Sequence, residues 1–140
     1  MEIRVATVND AEGLHALNAL FENATTIELL KESLAENDRE IVCIALDSGI
    51  PAGFCSGLIV KSMCYSESRA DIEALYVKNG YRGQGVGKAL IKFLEKALAE
   101  RGIRHFHITT GTNNKNALSL YEKMGYSKTG EALLDKTVLP

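Results

Sequence analysis

The segment from Tyr76 to Leu90, with the sequence YVKNGYRGQGVGKAL, decides the fold of this chain. It ends a stretch, residues 71–77, whose period of two predicts a strand. It then leads into apolar residues at helical spacing, which predict a helix from about Val86 to Gly102. The glycines between these elements let backbone N–H groups approach a ligand at the start of a helix. Such a loop favours an anion, most often a phosphate.

The glycine spacing excludes two common nucleotide-binding motifs. A Rossmann fingerprint requires G-x-G-x-x-G, but Leu90 stands at the third glycine position after Gly85 and Gly87. A P-loop requires a first glycine where Arg82 stands and a hydroxyl residue where Ala89 stands. A different anion-binding loop is therefore expected.

Two motifs of the chain resemble those of the GNAT N-acetyltransferases. The first, Arg82-x-x-Gly85-x-Gly87, fits the [QR]-x-x-G-x-[GA] loop of that superfamily, whose amides bind the pyrophosphate of coenzyme A. The second runs from Asn114 to Tyr126 and has the form N-x-x-A-x-x-L-Y-x-x-x-G-Y. It lies at the usual distance downstream of the loop, so the two motifs support each other.

The resemblance implies a mixed α/β (α+β) fold with about four flanking helices around a central mixed sheet of six to seven strands. It places a splay in the sheet between the strand at 71–77 and the strand at 104–110. It also implies one N-acetyltransferase domain over residues 1–140. A weak pattern in residues 126–138 suggests a terminal hairpin, and the turn at residues 22–25 is expected to build one wall of the acceptor site.

The cofactor-binding residues implied by the resemblance lie in the strand end, the glycine loop and the second motif. They are Leu75, Tyr76, Val77, Arg82, Gly83, Gln84, Gly85, Val86, Gly87, Lys88, Asn114, Ala117 and Tyr121. The backbone N–H groups near Leu75 and Val77 are expected to bind the pantetheine arm and polarise the thioester carbonyl. Asn113 and Asn116 are alternatives to Asn114, and one of the three can serve only to cap the helix.

Acetyl transfer to an amine requires a base, because an alkylammonium has a pKa of roughly 10.4. Glu73 is the predicted base, with Asp71, two residues upstream on the same strand face, as the alternative. Both carboxylates can instead be ordinary solvent-facing groups. Tyr121 is the predicted general acid for the departing thiolate, and the competing interpretation is a core tyrosine.

The resemblance implies transfer from acetyl-CoA to a primary amine by direct attack in a ternary complex, because no cysteine occupies a motif position. One alternative is an inactive acyl-CoA-binding sensor or interaction module of the same fold. A second is an unrelated binder of nucleotide phosphates. No metal is expected, and we assign His105 and His107, which share a strand face, to structure.

Charge is unevenly distributed along the chain. Residues 1–76 hold five Lys/Arg against thirteen Asp/Glu, whereas residues 77–140 hold eleven against five. The basic part contains the glycine loop, and the acidic part suits a cationic acceptor, either a small molecule or a protein amine. We expect no nucleic acid partner, because no basic stripe carries interleaved aromatic residues.

Two further expectations concern the setting of the protein. The longest apolar run, residues 41–46, is far shorter than the roughly 20 residues of a membrane span, so we expect no membrane partner. The start of the chain has no secretory apolar segment, and its three cysteines form no C-x-x-C pair, so a cytoplasmic location is expected. The sequence leaves open the identity of the acceptor and whether the chain forms a homodimer.

Overall fold

The structure is a computed structural model that describes residues 1–22, 24–36 and 38–140. The strands are β1 (Glu2–Val5), β2 (Glu40–Asp47), β3 (Ile50–Val60), β4 (Arg69–Val77) and β5 (Phe106–Ile108). The helices are α1 (Ala11–Phe21), α2 (Ile27–Ala35), α3 (Val86–Glu100) and α4 (Lys115–Lys123), and a 3-10 turn spans Val8–Asp10. Asn23, which belongs to the predicted acceptor wall, and Asn37 lie outside the described residues.

Contacts between Cα atoms divide the chain into two units, Met1–Thr109 and Thr110–Pro140. The first unit holds the whole sheet with α1, α2 and α3, and the second holds α4. The prediction of a single domain over residues 1–140 stays a prediction. Within the described part of the chain, no helix is both long and apolar enough to cross a membrane.

The sheet is mixed, as predicted, but the described residues form five strands in the order β1-β2-β3-β4-β5, not six to seven. The first four strands pair antiparallel, and β5 joins β4 in parallel after the crossover through α3. The predicted terminal hairpin is wrong, because residues 126–140 form no strand. That segment alternates only weakly, and Gly130, at φ 79°, interrupts it.

Helix α3 covers one face of the sheet with a stripe of fully buried residues. These residues are Leu90, Ile91, Leu94 and Leu98. The stripe approaches β3 closely, since a β-carbon on Gly57 would lie 3.2 Å from Leu98 and 3.4 Å from Leu94. Glycine at this position therefore lets the helix pack directly against the strand, which fixes where α3 begins relative to the end of β4.

Helices α1 and α2 cover the other face. Their buried leucines, Leu14, Leu17 and Leu34, form one cluster with Ile44 and Phe54 of the sheet. Thr26 begins α2 by accepting a hydrogen bond from the N–H of Leu29, at 3.3 Å. A pocket opens on this face of the sheet.

The 3-10 turn before α1 is joined to β1 by an ion pair. The guanidinium of Arg4 donates to both carboxylate oxygens of Asp10, at 2.7 and 2.8 Å, and the N–H of Thr7 donates to Asp10 at 2.7 Å. The hydrogen bond from Arg4 holds the pKa of Asp10 below its usual value. Folding therefore favours the ionised form of this carboxyl group.

Candidate active site

Strand β4 changes register at the predicted base. Gly57 of β3 pairs with Ile72, and the next residue, Ser56, pairs with Ala74, so Glu73 has no partner in the described pairing. This is the arrangement of a β-bulge, in which an extra residue on one strand re-aims its side chain. The strict alternation predicted from the sequence therefore fails at Glu73, because the bulge shifts the two-residue period.

Glu73 lines a pocket of about 330 Å³ within the first unit, between α1, α2 and the sheet. Its described lining includes three carboxylates, Glu22, Glu40 and Glu73, and contains no Lys, Arg or His. Phe21 and Phe54, whose rings lie edge to face at 6.0 Å, form part of its apolar wall. The volume lies near the lower end of the range for ligand pockets, roughly 300–1,000 Å³. The pocket therefore suits a small or narrow cationic group.

Asp71, the alternative base, has a different environment. Its Oδ1 atom accepts from Nε of Arg69 at 3.0 Å and lies 3.7 Å from Nδ1 of His107. It is not among the described residues that line the pocket. The two carboxylates that the sequence could not separate thus have different partners: Asp71 is paired with an arginine, and Glu73 faces the pocket.

The splay predicted between β4 and β5 is present. Their pairing ends at Ile72 with Ile108, so residues 73–77 have no β5 partner in the described register. The N–H of Lys78 donates to Ala52 of β3 at 2.8 Å. Since successive N–H groups of a strand point to opposite sides, those of Val77 and Leu75 point away from β3. These donors are available at the side where β5 pairing has ended.

The glycine loop connects β4 to α3 with left-handed residues. Gly83 and Gly85 have φ angles of 74° and 82°, and Gly85 is the N-cap of α3. Gly87 lies inside the helix, and a β-carbon there would be 3.6 Å from the side chains of Leu75 and Val77. The first two glycines are thus required by the backbone conformation, whereas Gly87 lies close to the strand.

The first turn of α3 has the properties of an anion site. Gly85 provides no side-chain cap, and this fully described turn contains no acidic residue. The N–H groups of Val86, Gly87 and Lys88 therefore receive no hydrogen bond acceptor from a capping side chain or from an acidic side chain of this turn. The helix dipole adds partial positive charge at this end of α3. Lys88 lies in the same turn, so the predicted phosphate cradle has both donors and a cation.

Hydrogen bonds within the loop hold its shape. Nε of Arg82 donates to the carbonyl of Val77 at 2.7 Å, and the guanidinium lies 5.5 Å from the ring centroid of Tyr76. The side-chain amide of Gln84 donates to the carbonyl of Gly80 at 3.0 Å. Arg82 and Gln84 therefore order the loop through these contacts, a role that the sequence pattern alone did not specify.

The second motif forms α4 and its flanks in the second unit. Oδ1 of Asn114 accepts from the N–H of Ala117 at 3.2 Å, so Asn114 is the asparagine that caps the helix. Tyr121 is buried, and its ring lies 6.0 Å from that of Tyr126. The N–H of Tyr126 also donates to the carbonyl of Tyr121 at 3.0 Å. The roles predicted for Asn114, Ala117 and Tyr121 toward a cofactor stay predictions.

The profile of the acetyltransferase (GNAT) family matches residues 11–126, which include both motifs. The chain belongs to the GNAT acetyltransferase family. Among curated relatives, N-acetyltransferase 8 of Rattus norvegicus is 30% identical over 92 residues, which are 66% of this chain and 41% of the relative. Thialysine N-epsilon-acetyltransferase of Sus scrofa is 36% identical over 61 residues, 44% of this chain and 36% of the relative. This GNAT chain thus spans about two fifths of the length of the curated relatives it matches.

Solved structures agree with the fold. The aminoglycoside N-acetyltransferase AAC(6')-Iy, in complex with the bisubstrate analog CoA-S-monomethyl-acetylneamine, superposes with a TM-score of 0.85 at 19% identity. The match covers 99% of this chain and 98% of that one. At this identity the likeness shows the GNAT fold alone, and it removes the earlier alternative of an unrelated nucleotide-phosphate fold.

Sequence reasoning missed two contributors to the site, Glu40 and Tyr81, whereas Glu22 lies in the turn at residues 22–25 that was predicted to build one wall of the acceptor site. Glu22 and Glu40 come from different elements, and only folding brings them to the pocket with Glu73. Tyr81, in the glycine loop, donates to Asp47 at the end of β2, which is 34 residues away in sequence. The charge excess of residues 1–76 was the only signal for Glu40, and no local pattern indicated the tyrosine contact.

Proposed function

We propose that this GNAT domain transfers an acetyl group from acetyl-CoA to a primary amine by direct attack in a ternary complex. The observation that carries the proposal is the position of Glu73. It lines an acidic pocket, and it lies on the strand that leads directly into the glycine loop. The proposed base for the acceptor and the proposed phosphate-binding loop for the cofactor thus lie on one continuous segment, from Glu73 to Lys88.

Coenzyme A is the proposed co-substrate, with its pyrophosphate at the first turn of α3. Uncapped N–H groups, positive φ at Gly83 and Gly85, and the nearby Lys88 support this assignment. The outward-pointing N–H groups of Leu75 and Val77 are the proposed donors to the pantetheine arm and the thioester oxygen. Structures of AAC(6')-Iy with CoA and with a CoA analog support a cofactor of this class.

The proposed acceptor is a cationic amine, either a small molecule or a protein group, because carboxylates are the charged groups among the described pocket residues. Glu73 takes a proton from the ammonium, directly or through water, and the free amine then attacks the thioester carbonyl. The carbon–sulfur bond breaks as the amide forms, and the nitrogen releases its second proton to water. The sulfur leaves as the thiolate of coenzyme A, and Tyr121 is its proposed proton donor.

The role of Tyr121 rests on its place in the second motif. A phenol, with a pKa near roughly 10, is a weaker acid than a thiol by about one or two units, so Tyr121 acts by donating to the sulfur while the carbon–sulfur bond breaks and then regains a proton from water. Asn114 and Ala117 are proposed to contact the cofactor from the same motif. Asn114 can make this contact with its side-chain NH2 group or with the second lone pair of the oxygen that caps α4.

A thiol-release assay with acetyl-CoA and a panel of amines tests the proposal. Diamines, aminoglycosides, amino acids and a lysine peptide cover the acceptor classes. We expect at least one cationic amine to release free coenzyme A with matching formation of an acetylated product. Tight acetyl-CoA binding by calorimetry with no release across the panel would instead support the inactive sensor.

A further inference from the structure

The side chains of His105, just before β5, and His107, within β5, approach each other closely. The Nε2 atoms of His105 and His107 lie 3.0 Å apart, and their rings meet at 76° with centroids 4.8 Å apart. The backbone holds both in place, because the carbonyl of His105 accepts from Ala70 at 3.0 Å and His107 pairs in register with Asp71. Residues two apart on a strand share a face, so both rings project to the same side.

Asp71 orients one of the two rings. Its Oδ1 atom lies 3.7 Å from Nδ1 of His107, which is beyond direct hydrogen-bond distance, so it acts through its negative charge, which favours a proton on Nδ1 and leaves the lone pair on Nε2. With that tautomer of His107, the 3.0 Å contact is a hydrogen bond in which Nε2 of His105 donates to Nε2 of His107. A carboxylate behind a histidine in this way is the usual outer partner of a metal-binding imidazole.

We propose that His105 and His107 form a two-nitrogen surface site for a divalent transition metal, with Asp71 as the orienting residue. The metal replaces the proton between the two Nε2 atoms, and water occupies its remaining positions. Both side chains are accessible to an incoming ion, with His107 39% exposed. This site is separate from the acetyl-transfer proposal and does not depend on it.

The nitrogen separation indicates which metals fit. With metal–nitrogen bonds of about 2.1 Å, two nitrogens at 90° lie about 3.0 Å apart, whereas a tetrahedral angle requires about 3.4 Å. The measured 3.0 Å matches the right-angle arrangement of square-planar or octahedral ions. Ni²⁺ and Cu²⁺ prefer that arrangement and also bind imidazole strongly.

The surrounding charges allow a divalent ion at this position. The Nε atom of Arg69 donates to Asp71 at 3.0 Å, so the carboxylate partly compensates the charge of this arginine. In the part of the chain that the structure describes, no third His, Cys, Asp or Glu completes a metal-binding group. We therefore expect reversible binding of one ion that a chelator removes.

Calorimetric titration of the full chain with NiCl₂ tests the site. All titrations use protein that carries Cys64→Ser, called the background, because Cys64 is an exposed thiol that could bind the metal independently. We expect one Ni²⁺ per chain, and a roughly tenfold or greater loss of affinity in His105→Ala and in His107→Ala, since either change leaves a single nitrogen. Asp71→Asn should weaken binding by about tenfold through lost orientation of His107.

His15→Ala is the matched control, because His15 lies on α1 and is the remaining histidine of the chain. It should bind Ni²⁺ as the background does. Thermal unfolding without metal checks that each variant is folded, and His107→Gln replaces His107→Ala if the latter is not. Equal affinity in the background and in both histidine variants would overturn the proposal, as would an equal loss in His15→Ala.

Discussion

The phenol of Tyr81 donates a hydrogen bond to Oδ2 of Asp47, with the oxygens 3.1 Å apart. This contact joins the glycine loop to the end of β2. The nearby carboxylate raises the pKa of the Tyr81 phenol, mainly through that hydrogen bond. The bond is therefore fully formed below the ordinary tyrosine pKa and is lost only as the pH rises through the raised value.

Tyr81→Phe should weaken acetyl-CoA binding by roughly 2- to 10-fold, because binding must then order a loop that has lost one hydrogen bond. Calorimetry with acetyl-CoA measures the effect. Tyr65→Phe, a change at an exposed tyrosine, serves as the control. A Tyr81→Phe/Asp47→Ala double variant should bind no more weakly than the worse single variant, and additive losses would argue against the contact.

Gly85→Val should sharply reduce acetyl-CoA affinity, because a branched residue is strained at φ 82° and obstructs the anion cradle. Gly87→Val should also reduce the affinity for acetyl-CoA, with little change in fold. Gly87→Ala should be tolerated, since its added carbon makes ordinary contacts at 3.6 Å with Leu75 and Val77. Unchanged binding in both valine variants, measured by calorimetry, would remove the cradle from the proposal.

Glu73→Gln keeps the shape of the side chain but removes its basicity, so turnover at pH 7 should fall by on the order of 100-fold. Part of the loss should return at high pH, where more of the amine is already neutral. Asp71→Asn is the matched change, and we expect a smaller effect because Asp71 is paired with Arg69. The reverse ranking would move the base to Asp71.

Tyr121→Phe separates a chemical role from a packing role. A general acid predicts a fall in kcat of roughly 10- to 100-fold with acetyl-CoA affinity close to wild type and a flatter alkaline limb of the pH profile. A packing role predicts near-normal turnover and at most about 1 kcal/mol of lost stability. Rate and affinity must be measured on one preparation, and intact turnover would assign the phenol to packing.

Asp10→Asn should lower the free energy of unfolding at pH 7 by about 1 kcal/mol through loss of the paired hydrogen bonds from Arg4. The folded pKa of Asp10 lies below its unfolded value, so its contribution is present above about pH 4 and is lost as the pH falls through the folded pKa. Urea unfolding of the wild type and of Asp10→Asn, at pH 7 and at low pH, measures the loss of stability and its disappearance at low pH. Glu2→Gln, at the exposed end of the same arginine, should change little.

Local patterns predicted most of the elements. Helix α3 begins at the predicted Val86 and ends near the predicted Gly102, because its apolar stripe and its flanking glycines are properties of adjacent residues. Strands β2 and β3 are apolar runs on either side of a tight turn at Ser48 and Gly49, whose φ angles are 50° and 84°. The strand count and the terminal hairpin were wrong, because short or weakly alternating segments become strands only where a partner strand is available.

The sequence by itself determined the family, the glycine loop and the acidic character of residues 1–76, since each is carried by residue types at fixed spacing. Tertiary structure decided which carboxylate faces the pocket. The bulge at Glu73 depends on how β3 and β4 pair, and the partners of Asp71 come from its own strand and from β5. Strand pairing and side-chain contacts between distant segments follow from packing of the whole unit, so no local spacing in the chain could have specified them.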